Sequence, residues 1–188
     1  MRDYKFCPYC GTAEAIILKE LSHYACQACG KSLWDNPKAA VGVVFLNAHG
    51  ELLVAERGRA PQKGKYDLPG GFIDYNEDPA LAVYREIQEE TGLIPLSTPK
   101  IVTAYTHDYG HDESVCDLIM VVEQWKGRPQ PQDDVAALHW RPLSFIHDAA
   151  FAWPYPGLAA LLTHLPSEEG TAAQGILRFP DASAVSAY

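Results

Sequence analysis

The 188-residue sequence has no apolar run of about eighteen residues, the length that a membrane-spanning helix requires. Its first residues, MRDYKFCPYC, have neither the charged lead-in nor the apolar stretch of a secretory signal. Positive charge is also scarce, because 15 Lys and Arg stand against 24 Asp and Glu, for a formal net charge of −9. We therefore expect a cytoplasmic protein with no membrane partner. We also expect no nucleic-acid partner, since affinity for a phosphate backbone comes mainly from clustered cations.

Cysteines are few, but four of the five form two Cys-x-x-Cys pairs. In a reducing cytosol, pairs such as Cys7/Cys10 and Cys26/Cys29 indicate metal ligands before disulfides, and four thiolates favour a structural Zn²⁺ site. A rubredoxin-like iron site and paired disulfides are the alternatives. About thirty residues cannot bury enough apolar surface to fold alone, so we expect the zinc to fold this module. The fifth cysteine, Cys116, lies in an apolar run and is predicted to pack in the core.

Composition predicts three segments along the chain. Residues 1–36 hold the cysteine module, which ends at Trp34-Asp35-Asn36-Pro37, where the residue before the proline is pushed out of helix. Residues 37–165 hold the main domain. Residues 166–188 are small and polar apart from ILRF, so a flexible tail is predicted there.

The main domain combines strand-like runs with helices. Two strands joined by a tight turn are expected first, and three more follow a long helix. The five runs are AAVGVVFLN, ELLVAER, IVTAY, VCDLIMVVEQW and AALHW. The pairs His107-Asp108 and His111-Asp112 are placed in a loop between strands, and a second helix is expected over 156–165.

The long helix has clear start and stop signals. Asp78 before Pro79 predicts its start, and Gly92 predicts its end after Thr91. At about 100° per residue, the apolar residues share one face and three glutamates share the opposite face. The apolar residues are Ala80, Val83, Tyr84 and Ile87, and the glutamates are Glu86, Glu89 and Glu90.

Three like charges at these spacings repel one another by roughly 0.2 to 0.5 kcal/mol per pair on an exposed helix. Clustered carboxylate oxygens suit a hard cation such as Mg²⁺ or Mn²⁺. An ordinary solvated helix face is the alternative for an isolated E-x-x-E-E pattern.

The residues before the helix favour the metal site. Gly70 and Gly71 can expose a backbone carbonyl and let a phosphate approach, and Glu77 is near enough through the loop to pair with Arg85. From Gly71 onward the pattern is glycine, five residues, glutamate, seven residues and then Arg-Glu-aliphatic-any-Glu-Glu-any-Gly-aliphatic. These residues match the Nudix box completely, so the sequence resembles the Nudix hydrolase family.

The resemblance implies an α+β fold, a Nudix α/β/α sandwich with a mixed sheet, preceded here by a small zinc ribbon. It also implies divalent-metal-dependent hydrolysis of a pyrophosphate bond in a nucleoside diphosphate derivative, with Mg²⁺ or Mn²⁺ neutralising the developing charge. The implied catalytic residues are Glu86, Glu89, Glu90, Arg85 and Glu77. The implied ligands of the catalytic metal are Glu86, Glu89, Glu90, the Gly70 carbonyl and Asp134.

Several of these roles stay open at the level of sequence. Glu86 would be either a metal ligand or the general base that takes the water proton. The additional acidic residue from a later loop would be Asp133 or Asp134, with a plain polar turn as the alternative and Glu123 as a weaker candidate.

The substrate is indicated by the junction after the ribbon. A zinc ribbon joined to a Nudix domain resembles the NADH pyrophosphatases and a set of smaller enzymes, some of which cleave FAD or ADP-ribose. The stretch from Asn36 to Gly42 matches the smaller enzymes, and the Ser-Gln-Pro-Trp-Pro-Phe-Pro signature of the NADH pyrophosphatases is missing. FAD or ADP-ribose is therefore expected, with an NADH or NAD pyrophosphatase and a non-catalytic nucleotide sensor as alternatives.

Substrate contacts are predicted at two cations and two aromatic residues. Arg57 and Lys65 come from a basic stretch that could contact phosphates, although a solvated loop explains it equally well. Tyr66 and Phe72 could stack on a purine or flavin ring, although core packing is the more common role of such residues. A homodimer is also expected.

Overall fold

The computed structural model describes residues 4–110 and 112–163, which divide into two compact units. Unit 1 holds the described residues up to Lys38 together with Asp108–Val115. Unit 2 holds Ala39–His107 and the described residues from Cys116 onward. The predicted tail at 166–188 and His111 lie outside the described residues. No described helix combines the length and the apolar composition needed to cross a membrane.

Unit 1 contains a small antiparallel sheet in the order β1-β2-β3. Its strands are β1 (Ile16–Glu20), β2 (His23–Cys26) and β3 (Ser32–Trp34). One buried cluster of this unit contains Cys7, Ala15 and Cys26, with Ile16 packed against it, and Tyr24 and Leu33 of the sheet are also buried. So small a core offers little hydrophobic stabilisation, which agrees with the expectation that a bound metal folds this module.

The rest of the described chain contains eight strands, two α-helices and a 3₁₀ helix. The strands are β4 (Lys38–Val44), β5 (Glu51–Arg57), β6 (Tyr66–Asp67), β7 (Ile94–Pro95), β8 (Lys100–Gly110), β9 (Glu113–Val121), β10 (Trp125–Lys126) and β11 (Val135–Pro142). The helices are α1 (Pro79–Thr91) and α2 (Leu158–Thr163), and the 3₁₀ helix is Leu143–His147.

These strands form sheets in the orders β4-β9-β8, β11-β5-β6 and β10-β7. Strands β5 and β6 pair antiparallel, whereas Tyr66 of β6 forms a parallel bridge with Phe151. The strand pairing is therefore mixed. The predicted α+β class is confirmed.

Helix α1 begins and ends where the sequence predicts. The Asp78 side chain accepts a hydrogen bond from the Ala80 N–H at 2.8 Å, and Pro79 occupies the first turn. Gly92 ends the helix with a φ of 66°, and its N–H donates to the Gln88 carbonyl. One face packs into the main core, which contains Val41, Val43, Phe45, Leu53, Ala82, Val83, Ile87, Leu93, Met120, Val122 and Trp125.

Three predicted elements differ from the structure. Strands β4 and β5 do not form the extended hairpin that was predicted. Leu46 and Leu52 form an isolated antiparallel bridge near the turn, and the two strands belong to different sheets. Strand β8 continues to Gly110, so His107 and Asp108 lie in a strand and not in the predicted loop. Helix α2 begins at Leu158, after Gly157 adopts a positive φ of 77°.

Candidate active site

The loop before α1 passes along β4 at two glycines. The carbonyls of Pro69 and Gly71 accept hydrogen bonds from Val43 and Val41 at 2.8 and 2.9 Å. Gly70 has a φ of 139°, and a Cβ there would lie 2.1 Å from the Val41 carbonyl oxygen. Only glycine fits this conformation and this close approach.

Gly71 lacks a side chain at a point where the Glu86 side chain approaches the loop, whereas Gly70 lies against the Val41 backbone. A Cβ at this position would lie 2.6 Å from the carboxyl carbon of Glu86. The Glu86 carboxylate therefore lies directly against the loop.

Arg85 joins the loop to α1. Its Nε and Nη2 atoms donate to the two Glu77 carboxylate oxygens at 2.9 and 2.7 Å, as the sequence predicts. Its Nη1 donates to Glu86 at 2.6 Å, and Nη2 also donates to the Phe72 carbonyl at 3.0 Å. The hydrogen bonds that Arg85 donates to Glu77 lower the pKa of Glu77 to about 2. A bidentate ion pair such as Arg85–Glu77 fixes the orientation of the two side chains as well as the distance between them.

The three glutamates of α1 differ in exposure. The Glu89 side chain is 53% exposed and lies 3.5 Å from Arg85, whereas the Glu86 side chain is 14% exposed. Glu90 is buried and accepts a hydrogen bond from the Gly70 N–H at 2.8 Å. The helix face is not uniformly solvated, because the Gly70 loop and a later loop cover the end of α1. Gln132 of that later loop donates its N–H to the Glu90 carbonyl at 3.0 Å.

Burial raises the pKa of Glu90 well above its usual value, and the nearby carboxylates of Asp134, Glu86 and Asp67 raise it further. Burial likewise raises the pKa of Glu86, against the lowering effect of Arg85. Asp134 therefore lies within electrostatic reach of Glu90. Asp133 instead pairs with Arg59 at 3.3 Å, and Glu123 pairs with Lys100 at 2.9 Å.

These oxygen donors suit a hard divalent cation such as Mg²⁺ or Mn²⁺. A buried carboxylate remains ionised only when a positive charge or hydrogen-bond donors compensate it. Arg85 donates to Glu86, whereas Glu90 accepts its hydrogen bond from the Gly70 N–H. Glu86, Glu90 and Asp134 are the residues that would hold the ion, with Glu89 at the exposed edge.

The four predicted substrate contacts lie in different surroundings. Phe72 is 39% exposed, and its carbonyl accepts the hydrogen bond from Arg85 Nη2. Lys65 is half-buried. Arg57 donates to Asp67 at 3.1 Å and to the Pro61 carbonyl at 2.9 Å. Tyr66 packs edge-on against Phe145 and His139.

A buried polar network centred on Asp67 was not predicted from the sequence. The Asp67 carboxylate accepts hydrogen bonds from Trp153 Nε1, the Tyr155 hydroxyl and the Leu68 N–H, each at 2.9 Å, in addition to the bond from Arg57. Burial raises the pKa of Asp67, and Arg57 and these donors lower it. The sequence offered two weak signals for this network. Asp67 precedes Leu68 and Pro69, and a Trp-Pro-Tyr-Pro run occurs far along the chain at 153–156.

The network continues to β8 and β9. Tyr155 lies 3.4 Å from Asp117, and His107 Nδ1 lies 3.5 Å from the same carboxylate while its ring stacks on Trp153 at 4.5 Å. Burial, with Asp67 nearby, raises the pKa of Asp117 to about 7. His107 is therefore part of a buried network and not of the predicted loop.

The four paired cysteines of unit 1 converge. Their sulfur atoms all lie within 4.8 Å of one another, with Cys7 to Cys29 at 3.9 Å and Cys10 to Cys26 at 3.7 Å. Four sulfurs around one zinc ion at the usual bond length would lie about 3.8 Å apart. All five cysteines are free thiols, and Cys116 is half-buried outside this cluster. The cluster fits a tetrahedral zinc ribbon site.

Comparison with known proteins identifies the family. The family model described as the NUDIX domain matches residues 36–161. The chain belongs to the Nudix family, and it is a pyrophosphohydrolase of the Nudix type.

Three relatives illustrate the similarity. An ADP-ribose pyrophosphatase of Methanocaldococcus jannaschii is 29% identical over 119 residues, covering 63% of this chain and 70% of that protein. An RNA pyrophosphohydrolase of Roseobacter denitrificans is 35% identical over 96 residues, covering 51% and 57%. The crystal structure of a MutT Nudix hydrolase from Burkholderia pseudomallei is 27% identical, with a TM-score of 0.56 over 68% of this chain and 97% of that one.

Proposed function

We propose that this enzyme hydrolyses the pyrophosphate bond of a nucleoside diphosphate derivative, with ADP-ribose as its favoured substrate and FAD as the second. Mg²⁺ or Mn²⁺ is the cofactor. The observation that carries the proposal is the carboxylate cluster, in which Glu86 and Glu90 lie against the Gly70-Gly71 loop and Asp134 is near enough to raise the pKa of Glu90. The M. jannaschii relative, named an ADP-ribose pyrophosphatase, supports the choice of substrate.

The reaction needs one water molecule per bond. The water oxygen bonds to one phosphorus, the bond from that phosphorus to the bridging oxygen breaks, and the water proton passes to a carboxylate. ADP-ribose then gives AMP and ribose 5-phosphate. When bound, Mg²⁺ or Mn²⁺ would supply charge neutralisation at the phosphate oxygens and activation of the water. Glu86 takes the proton or binds the metal, while Arg85 holds its carboxylate in place.

A second candidate substrate is a 5′-triphosphorylated RNA end, because the R. denitrificans relative is named an RNA pyrophosphohydrolase. The net charge of −9 speaks against it, since an RNA chain is repelled by an acidic protein unless a basic surface compensates. An NADH or NAD pyrophosphatase and a non-catalytic nucleotide sensor are the remaining alternatives.

We also propose a zinc ribbon over residues 1–36 and a catalytic domain over residues 37–165. The zinc would be structural, because its four thiolate ligands complete a tetrahedral shell. A homodimer stays a prediction.

The test is a product assay with ADP-ribose, FAD, NADH and triphosphorylated RNA, each with Mg²⁺ or Mn²⁺. Two Glu→Gln variants are compared with the wild type. Glu86→Gln removes a charge in the carboxylate cluster at nearly constant shape. Glu123→Gln makes the same change at a half-buried carboxylate that pairs with Lys100 at 2.9 Å.

We expect AMP and ribose 5-phosphate from ADP-ribose, loss of activity in Glu86→Gln and unchanged turnover in Glu123→Gln. Preferential release of pyrophosphate from RNA would replace ADP-ribose by the second candidate. Tight binding of a nucleotide without any turnover would favour the sensor.

A further inference from the structure

A half-open groove in unit 2 lies outside the carboxylate cluster. It has a volume of about 400 Å³ and runs between the end of the 3₁₀ helix and the segment Phe151 to Pro156. Sites for small molecules typically measure about 300 to 1,000 Å³. The groove is therefore large enough for one ring system with its sugar.

The walls of the groove combine apolar rings with a polar rim. Phe151, Trp153 and Tyr155 are buried and provide the apolar part, and Phe151 packs edge-on against Tyr155 at 5.9 Å. His147 and Asp148 are exposed at the rim. Apolar walls with a few polar groups at the edge suit a planar heterocycle, whose faces are apolar and whose edges form hydrogen bonds.

The rings are held in place by Asp67. Trp153 Nε1 and the Tyr155 hydroxyl both donate to its carboxylate at 2.9 Å, and Arg57 compensates the charge. When the side chains of a binding site are already fixed in the free protein, ligand binding carries a smaller entropic cost of ordering them. Asp67 is thus a positioning residue for the groove, since it acts through the two aromatic side chains.

The segment that lines the groove is hydrogen-bonded to β6, which leads into the catalytic loop. Tyr66 donates its N–H to the Ala150 carbonyl at 2.9 Å, and its own carbonyl accepts from the Ala152 N–H at 2.7 Å. Gly70 follows Tyr66 by four residues, which span at most about 14 Å when extended. An extended nucleoside diphosphate can cover such a distance, with its base in the groove and its phosphates at the carboxylates.

We propose that this groove binds the nucleobase of the substrate and that Asp67 positions its aromatic wall. The inference rests on the proposed function, because it assigns the base of that substrate to a subsite. ADP-ribose and FAD share an AMP half, so a single base site would serve both.

The test measures the binding of the two products by isothermal titration calorimetry in the presence of Mg²⁺. AMP carries the base and ribose 5-phosphate does not, and neither contains a pyrophosphate bond that could be cleaved. Ala149→Trp fills the groove from an exposed position, and His147→Trp fills it from a second one. Ala160→Trp makes the matched change on an exposed position of α2 outside the groove.

We expect AMP to bind at least tenfold more weakly to Ala149→Trp and His147→Trp and normally to Ala160→Trp. Ribose 5-phosphate should bind equally to all four proteins. Wild-type affinity for AMP in both groove variants would overturn the inference, even if ADP-ribose is hydrolysed. The converse result is a wild type that does not cleave ADP-ribose while AMP affinity falls in both groove variants. That result would refute the proposed substrate but support the base site.

Discussion

At the scale of single residues, Gly70 and Gly71 are adjacent but have different requirements. Alanine at Gly70 would meet the Val41 backbone, whereas alanine at Gly71 would meet the movable end of the Glu86 side chain. We expect Gly70→Ala to lower the free energy of unfolding by on the order of 3 kcal/mol, through steric overlap and strain. Gly71→Ala should leave the fold intact and lower kcat roughly 100-fold, because it displaces Glu86.

Urea unfolding and kcat on ADP-ribose, measured for both variants, test this separation. Full activity in Gly71→Ala would show that the position of Glu86 against the loop does not matter for turnover.

Asp117 gives a prediction about pH. Its pKa of about 7 in the folded protein lies above the value of an unfolded aspartate, near 4. Between about pH 4 and pH 7 the folded state holds a proton that the unfolded chain has released. The associated stability is fully present below about pH 4 and is lost progressively as the pH rises through this window to about 7. Asp117→Asn keeps a neutral side chain, so its stability relative to wild type should rise with pH by at most about 1.4 kcal/mol per unit in this window.

Denaturant unfolding of both proteins from pH 5 to pH 8 with Mg²⁺ present measures the difference. Parallel curves would mean that Asp117 is ionised throughout, with His107 as its charged partner at 3.5 Å.

At the scale of elements, the helix that carries the glutamates was predictable because its signals are local. Asp78, Pro79 and Gly92 mark its ends, and the spacing of the glutamates places them on one side. The burial of Glu90 was not predictable, since it depends on two loops that are distant in sequence. The Asp67 network was missed for the same reason, because Trp153 and Tyr155 lie 86 and 88 residues away.

The contact between the loop and α1 is tested at Glu77. Glu77→Gln removes one charge from the pair with Arg85, which also holds Glu86. Loss of a residue that orients a metal ligand typically costs 10- to 100-fold in activity or metal affinity, and we expect a fall in kcat of about that size. Asp74→Asn is the matched control, because Asp74 is 76% exposed and lies 3.8 Å from Arg85. Equal activity in both variants would contradict a positioning role for Glu77.

At the scale of the whole molecule, the two units should depend on different forces. Unit 2 has an extensive apolar core, whereas unit 1 buries few apolar side chains around its four sulfurs. The paired cysteines were recognisable from sequence because their spacing is local, but their convergence is a property of the folded sheet. Structural zinc contributes on the order of 10 kcal/mol in small peptides, which is enough to fold such a module.

We expect one zinc per chain by elemental analysis, and its removal should unfold unit 1 while α1 and the sheets of unit 2 persist in NMR spectra. Cys26→Ser should abolish zinc binding, and Cys116→Ser should leave it unchanged. Iron in place of zinc, or cysteines paired as disulfides in the purified protein, would contradict the ribbon.

We propose above all that the carboxylates on α1 form the site of a catalytic divalent cation. Titration of Mn²⁺ into zinc-loaded protein, followed by electron paramagnetic resonance, tests it without a substrate. Glu90→Gln removes the buried charge, and Glu123→Gln removes a half-buried charge that is paired with Lys100. We expect Mn²⁺ to bind at least tenfold more weakly to Glu90→Gln and normally to Glu123→Gln. Equal affinity in both variants and the wild type would contradict it.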